Sequence, residues 1–253
     1  MRPTEFEPPE ALRDVVKCFW HLRRDLGPQR SSFEVMPDGY AEIIFHFGGN
    51  CSADGIQTLP SPFLVGLLNQ PVHFSAHGLL DILAIRCFPW TVFELLGLPP
   101  AKDSIQLFEH PVAGLHATLA QWMLAGRIDL AVAALEQHLL GAQAQLDTTL
   151  RKAGEAIRQT NGALPVSQVA AAAHATVRTL ERKFKQSAGH TVKDVSGLVR
   201  FEQARNQLMQ QPDSDLADLA QRLGYTDQSH LSREFKRYSG TTPAAFARKA
   251  GKA

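Results

Sequence analysis

Two short stretches concentrate the side chains that could do chemistry. In "TLERKFKQSAG" (179–189), Arg182 and Lys185 stand near Arg178 and Glu181. In "HLSREFKRYSG" (230–240), Arg233, Lys236 and Arg237 stand near Gln228, Ser229 and Ser232. The two share a register: Leu180, Arg182, Phe184, Lys185 and Gly189 recur as Leu231, Arg233, Phe235, Lys236 and Gly240, 51 residues later in each case (233 against 182). The chemistry on offer is hydrogen-bond donation to a polyanion. An arginine fork matches O6 and N7 of guanine, and a glutamine amide matches adenine. Lysines suit phosphate oxygens. Glu181, an acid in this setting, prefers a cytosine amino group to a phosphate.

Such side chains need a helix to present them. Leu180 and Phe184 lie four apart, as do Leu231 and Phe235, so each pair forms an inward stripe. Arg182 and Arg233 come two residues after the leucine, about 200° round the helix and on the opposite face. Thr176 caps the first helix, and Asp227 or Thr226 the second. Ahead of each runs another helical stretch, "LPVSQVAAAA" (164–173) and "SDLADLAQRL" (214–223), joined by a tight turn at His174-Ala175 and Gly224-Tyr225. Two helix-turn-helix units are therefore expected, over about residues 164–186 and 214–238. Between them "TVKDVSGLVRFEQARNQLMQQ" (191–211) predicts a long helix, with Val195, Leu198, Val199, Ala204 and Leu208 on its apolar face. A rigid connector would let both units reach successive major grooves, about 34 Å apart.

Charge divides the chain in the same place. Residues 1–150 hold 9 Lys and Arg against 16 Asp and Glu, a balance of −7, while residues 151–253 hold 17 against 9, a balance of +8. The basic part suits a polyanion. The 253-residue length and 44% hydrophobic content fit two ordinary domains, divided as 1–146 and 147–253, with "GAQAQLDTT" (141–149) as the linker. No apolar run is long enough to cross a membrane, and the N-terminus lacks a signal-peptide core, so a cytoplasmic protein is expected. Cys18, Cys51 and Cys87 are scattered and read as buried hydrophobes.

The C-terminal hundred residues resemble the DNA-binding domain of AraC/XylS-type transcription regulators, most closely over "LAQRLGYTDQSHLSREFKRYSGTTPAAFAR" (219–248). The resemblance implies double-stranded DNA as partner. It implies base contacts from Arg178, Glu181, Arg182, Gln228, Ser229 and Arg233, and a closing helix started by Thr242-Pro243. Phosphate contacts are then expected from Thr176, Lys185, Lys236 and Arg237. His174 departs from the pattern, standing where relatives carry glycine or another small residue.

The acidic part reads as strands and turns to about residue 110 and as helices over 112–146, broken at Gly126. "PVHFSAHGLLDILAIRCFP" (71–89) predicts two strands joined at His77-Gly78 in an antiparallel sheet. Residues 90–98 predict a short helix. "MPDGYAEIIFHFGG" and "FLVGLLNQPVHF…DILAIRCFPW" (63–74 and 81–90) resemble the sensor-like domains of some of these regulators. That implies a small β-barrel or cupin-like sheet, and an α+β chain overall.

An effector pocket could be lined by Tyr40, Glu42, Phe45, Phe47, Phe74 and Trp90, although the same residues could form core. His46, His73 and His77 raise a metal, but two strand residues four apart lie about 13 Å from each other; no metal or other cofactor is expected. The 112–146 helices are either a homodimer interface or the domain's own layer. No catalytic triad, P-loop or dinucleotide fingerprint is present, and His230 reads as structural. The expectation is a DNA-binding transcription regulator, not an enzyme. RNA polymerase is a further partner if it activates. The alternatives are a cupin-like enzyme fused to DNA-binding helices, or an architectural DNA-binding protein without an effector.

Overall fold

Apolar residues that alternate along a chain make strands with one buried face, and this rule builds the first part of the molecule. The structure, a computed structural model, describes residues 3–98, 105–141 and 147–251. The strands are β1 (Thr4–Phe6), β2 (Val16–Asp25), β3 (Ser31–Val35), β4 (Ala41–Gly48), β5 (Cys51–Ala53), β6 (Phe63–Val65), β7 (Val72–Ala76) and β8 (Leu79–Cys87). After the short helix α1 (Val92–Leu95) comes β9 (Ile105–Gln106). They form a six-stranded sheet in the order β1-β2-β8-β4-β6-β9 and a three-stranded sheet in the order β3-β7-β5, all antiparallel. The large sheet ends at β1 and β9, so the expected barrel is not closed. Nor do β7 and β8 pair as the two strands of a hairpin. The turn at Gly78 (φ 72°) sends each to a different sheet, which a sequence-local reading cannot see.

Register across β2, β8 and β4 sets the two faces. Phe19, Ile85 and Ile43 stand side by side, as do His21, Leu83 and Phe45, and the apolar members are fully buried. On the opposite face Cys18, Arg86 and Glu42 are aligned. Phe63 and Phe74, 6.2 Å apart, join the two sheets. Two helices follow, α2 (His116–Leu124) and α3 (Ile128–Gly141), separated at Gly126 (φ 70°). His116 stacks on Phe47 of the sheet at 5.2 Å. Much of the proposed linker lies outside the described residues.

The second part is helical: α4 (Thr148–Gln159), α5 (Val166–Ala172), α6 (Val177–Ala188), α7 (Val192–Gln210), α8 (Leu216–Arg222), α9 (Gln228–Ser239) and α10 (Pro243–Ala250). The chain divides into two compact units near residue 146, with Met36–Gly39 and Leu67–Pro71 grouped with the second. In that unit α7 is the spine, 19 residues and about 28 Å long. Its Val195, Leu198, Phe201, Ala204 and Leu208 are fully buried. Its start is fixed by a capping box between Thr191 and Asp194.

A buried ion pair ties α9 to this spine. Arg200 of α7 reaches Glu234 of α9 at 3.3 Å, and each side chain is only 12% exposed. The same guanidinium donates to the Gly162 carbonyl in the α4–α5 loop (2.7 Å) and lies over the Tyr225 ring at 5.2 Å. Burial first, then the Glu234 charge, pushes the phenols of Tyr225 and Tyr238 well above their usual pKa. Two glycines make room. A Cβ on Gly162 (φ 73°) would meet the Ser196 carbonyl oxygen at 2.2 Å, and one on Gly197 would meet the Tyr238 hydroxyl at 2.8 Å. Removing one partner of such a pair strands the other charge in the interior, at about 3–5 kcal/mol. Arg200→Ala is expected to lower unfolding stability by that amount in urea titrations of the full chain followed by circular dichroism. The double variant Arg200→Met/Glu234→Leu should cost clearly less than the two single changes added together.

Candidate nucleic-acid interface

The candidate surface is built from α6 and α9, and each helix is held by its apolar stripe. Leu180, Phe184, Leu231 and Phe235 are fully buried. Phe235 packs edge-on against Phe201 (5.0 Å) and Phe246 (5.3 Å). The N-terminal caps form as the side chains dictate. The Thr176 hydroxyl accepts from the Thr179 amide at 3.1 Å, and the Asp227 carboxylate, rather than Thr226, accepts from the His230 amide at 2.7 Å. Both helices end in a left-handed glycine, Gly189 (φ 72°) and Gly240 (φ 71°).

Opposite the stripes, Thr176, Arg178, Arg182 and Lys185 of the first unit are exposed, as are Gln228, Ser229, Arg233, Lys236 and Arg237 of the second. The electrostatics sort these further. Arg182 donates to Gln186 one turn on (3.2 Å), which steadies its fork along the helix. Arg237 leans over the Tyr238 ring (5.1 Å) and reaches Asp194 at 3.4 Å. Thr176 uses its hydroxyl for the cap and for Thr179.

Glu181 stands apart. It is half-buried, and its carboxylate accepts from the Val192 amide at the start of α7 (3.3 Å). The sequence alone offered no hint of this, because the partner lies in the next helix. Lys183, on the flank of α6, pairs with Asp147, whose carboxylate also caps α4. His230 lies in the first turn of α9, with Nδ1 3.3 Å from the Thr226 hydroxyl and its ring edge-on to Tyr225.

In the first unit the six residues considered for an effector pocket divide: Tyr40, Glu42 and Trp90 are linked through Arg86 and Phe88, while Phe45, Phe47 and Phe74 lie apart from them. Glu42 accepts from Trp20 Nε1 (3.0 Å) and Arg86 Nε (2.6 Å), and the Arg86 guanidinium lies 5.5 Å from the Tyr40 ring centre. Phe88 links Tyr40 (6.1 Å) to Trp90, on which it stacks at 5.4 Å. Phe45 and Phe47 point to the other face of the sheet. Phe74 packs between Phe33 and Phe63. Arg86 was the missed partner, the one cation in the apolar run "DILAIRCF". The three histidines also separate: His46 contacts the Leu59 and Pro60 carbonyls, His73 lies between Glu34 and Asp54, and His77 is exposed. Among the described residues no group of three or more His, Cys, Asp or Glu is placed to hold a metal. The cysteines are free and buried, and burial pushes Cys18 up to about 11.

Residues 169–249 match the family model of a helix-turn-helix domain. Residues 4–104 match a domain of unknown function, DUF6597. This chain is 35% identical over 73 residues to the uncharacterized transcriptional regulatory protein YesN of Bacillus subtilis, covering 28% of this chain and 20% of that one. It is 32% identical over 82 residues to the HTH-type transcriptional regulator RipA of Corynebacterium diphtheriae, covering 32% and 24%. The chain thus spans about a quarter or less of the length of these relatives. Among solved structures, ToxT from Vibrio cholerae overlays 91% of this chain and 98% of its own at 10% identity, with a TM-score of 0.46.

Asp194 joins the cap of α7 to the Arg237 contact. Burial acts to raise its pKa, but hydrogen bonds from the Thr191 hydroxyl and amide, with Arg237, outweigh it, so the carboxyl lies below its usual value. A depressed carboxylate contributes stability above the unfolded pKa of about 4 and loses it as pH falls through the lower folded value. Asp194→Asn is therefore expected to flatten the acid limb of thermal stability below about pH 4, measured by melting the full chain across a pH series.

Proposed function

We propose that this chain is a sequence-specific transcription regulator that binds double-stranded DNA through α6 and α9. The observation that carries this reading is the matched pair of exposed donor faces. They sit at one register on two capped helices, within residues 151–253 of net charge +8, a part that includes the stretch matching the helix-turn-helix family. Relatives over that region are named as transcriptional regulators, which supports a regulator rather than an enzyme.

Base edges are read by Arg178, Arg182, Gln228, Ser229 and Arg233, and phosphates are held by Lys185, Lys236 and Arg237, with Thr176 beside them at the tip of α6. Glu181, committed to the Val192 amide, positions α7 instead of selecting cytosine. The β-rich unit receives a signal, a small-molecule effector or a partner protein, or mediates homodimerisation through α2 and α3. The Trp20–Glu42–Arg86–Tyr40 cluster is the polar centre on which a ligand would act. The protein works in the cytoplasm, and where it activates it engages RNA polymerase. Among the described residues no helix is long and apolar enough to cross a membrane.

Selection of bound sequences from a random DNA pool, followed by footprinting, tests the reading. A defined site is expected, and binding without sequence preference would overturn it in favour of an architectural protein. Arg233→Ala should cost about 1–3 kcal/mol on the selected site and relax one base preference. Lys236→Ala should weaken selected and random DNA alike, and lower the salt dependence by about one phosphate contact.

A further inference from the structure

Val177, the first residue of α6, is 43% exposed. An isolated exposed apolar side chain is ordinary on a protein surface, so its exposure alone carries nothing. Its place does. It follows the cap Thr176 directly, as Gln228 follows the cap Asp227, and the two positions are again 51 residues apart. Each therefore forms the tip of its recognition helix, where helix-turn-helix proteins touch base edges. Around Val177 the exposed Arg178 and Arg182 bring a polyanion to the surface, while Glu181 is held back by the Val192 amide. A β-branched residue gains nothing as a helix former there, since alanine or a straight-chain residue would serve better.

The major groove offers one apolar group, the C5-methyl of thymine, and every other base edge presents donors or acceptors that an isopropyl group would desolvate without return. We propose that Val177 is a specificity-determining residue that selects thymine at the first unit's subsite by contact with that methyl, while Gln228 at the matching tip reads by hydrogen bonding. The two halves of the DNA site then differ in chemistry although the two helices share a register. This inference rests on the DNA-binding reading above.

The test uses the full chain and its pool-selected duplex. Each thymine is replaced singly by deoxyuridine, which removes the methyl and leaves every hydrogen-bonding group. One thymine, within about three base pairs of the position whose preference relaxes in Arg182→Ala, is expected to lose about fourfold in affinity on replacement, the worth of one buried methyl. With Val177→Ala, which keeps the exposed helix start and its cap, that replacement should have no effect. A selected site in which no thymine near that position is methyl-sensitive overturns the inference and leaves the regulator reading intact, as does a methyl effect of equal size in Val177→Ala. Failure to select any site overturns the DNA-binding reading and this inference with it.

Discussion

The helical unit depends on the Arg200–Glu234 pair. A buried ion pair adds little net stability over an apolar pair of the same volume; what it supplies here is geometry. Glu234 is on α9, Arg200 is on the spine helix α7, and the other terminal nitrogen of Arg200 donates to the Gly162 carbonyl ahead of α5. One guanidinium thus sets the position of the second recognition helix and of the entry to the first unit together. The glycines follow from it. Gly162 and Gly197 are the places where α7 comes so near its neighbours that a methyl group would strike the Ser196 carbonyl or the Tyr238 hydroxyl. A recognition helix must hold its donors still before they meet the DNA, and a directional buried contact does so where an oily one could slide.

Much of this half was legible in sequence because its signals are local. Cap, stripe and C-terminal glycine all lie within one helix, so the register of Leu180, Phe184 and Gly189 against Leu231, Phe235 and Gly240 fixed both helices and their exposed faces. What escaped was contact between helices. Nothing in "TLERKF" says that Glu181 turns toward α7, or that Arg237 meets Asp194. The first unit shows the same division more strongly. Alternation along β8 separates Ile82, Ala84 and Arg86 from Leu83, Ile85 and Cys87, because that pattern belongs to one strand. The pairing of β8 with β2 and β4, and of β7 with β3 and β5, joins residues far apart in the chain, and strand alternation is silent on it.

The aromatic set of the β-rich unit shows what this costs a site prediction. Tyr40, Glu42, Phe45, Phe47, Phe74 and Trp90 form a set by side-chain type alone. In a strand, nearness by an odd number of residues means opposite faces, so Glu42 and Phe45 cannot share a pocket wall. The residues that do gather around Glu42 come from other strands, Arg86 from the adjacent β8 and Trp20 from β2 beyond it. A carboxylate bonded at once to an indole N–H and to a guanidinium is committed to its place. A ligand reaching it would have to compete with partners already in hydrogen-bond contact.

The repeat also explains the one acidic residue on α6. It extends past the glycines: Thr191 caps α7 and Thr242 caps α10, again 51 residues apart, so Val192 in the first copy stands where Pro243 stands in the second. At the first position of a helix the amide has no partner inside the helix. Proline removes the problem by having no N–H. Valine does not, and in the first copy Glu181 supplies the acceptor. At the matching place on α9 the residue is Ser232, which has no amide to serve. Glu181 and Pro243 are thus two solutions to one unpaired backbone donor. The acid on α6 thus answers a local backbone requirement, and on the DNA-binding reading proposed above the bases facing the first unit would fall to Val177, Arg178 and Arg182.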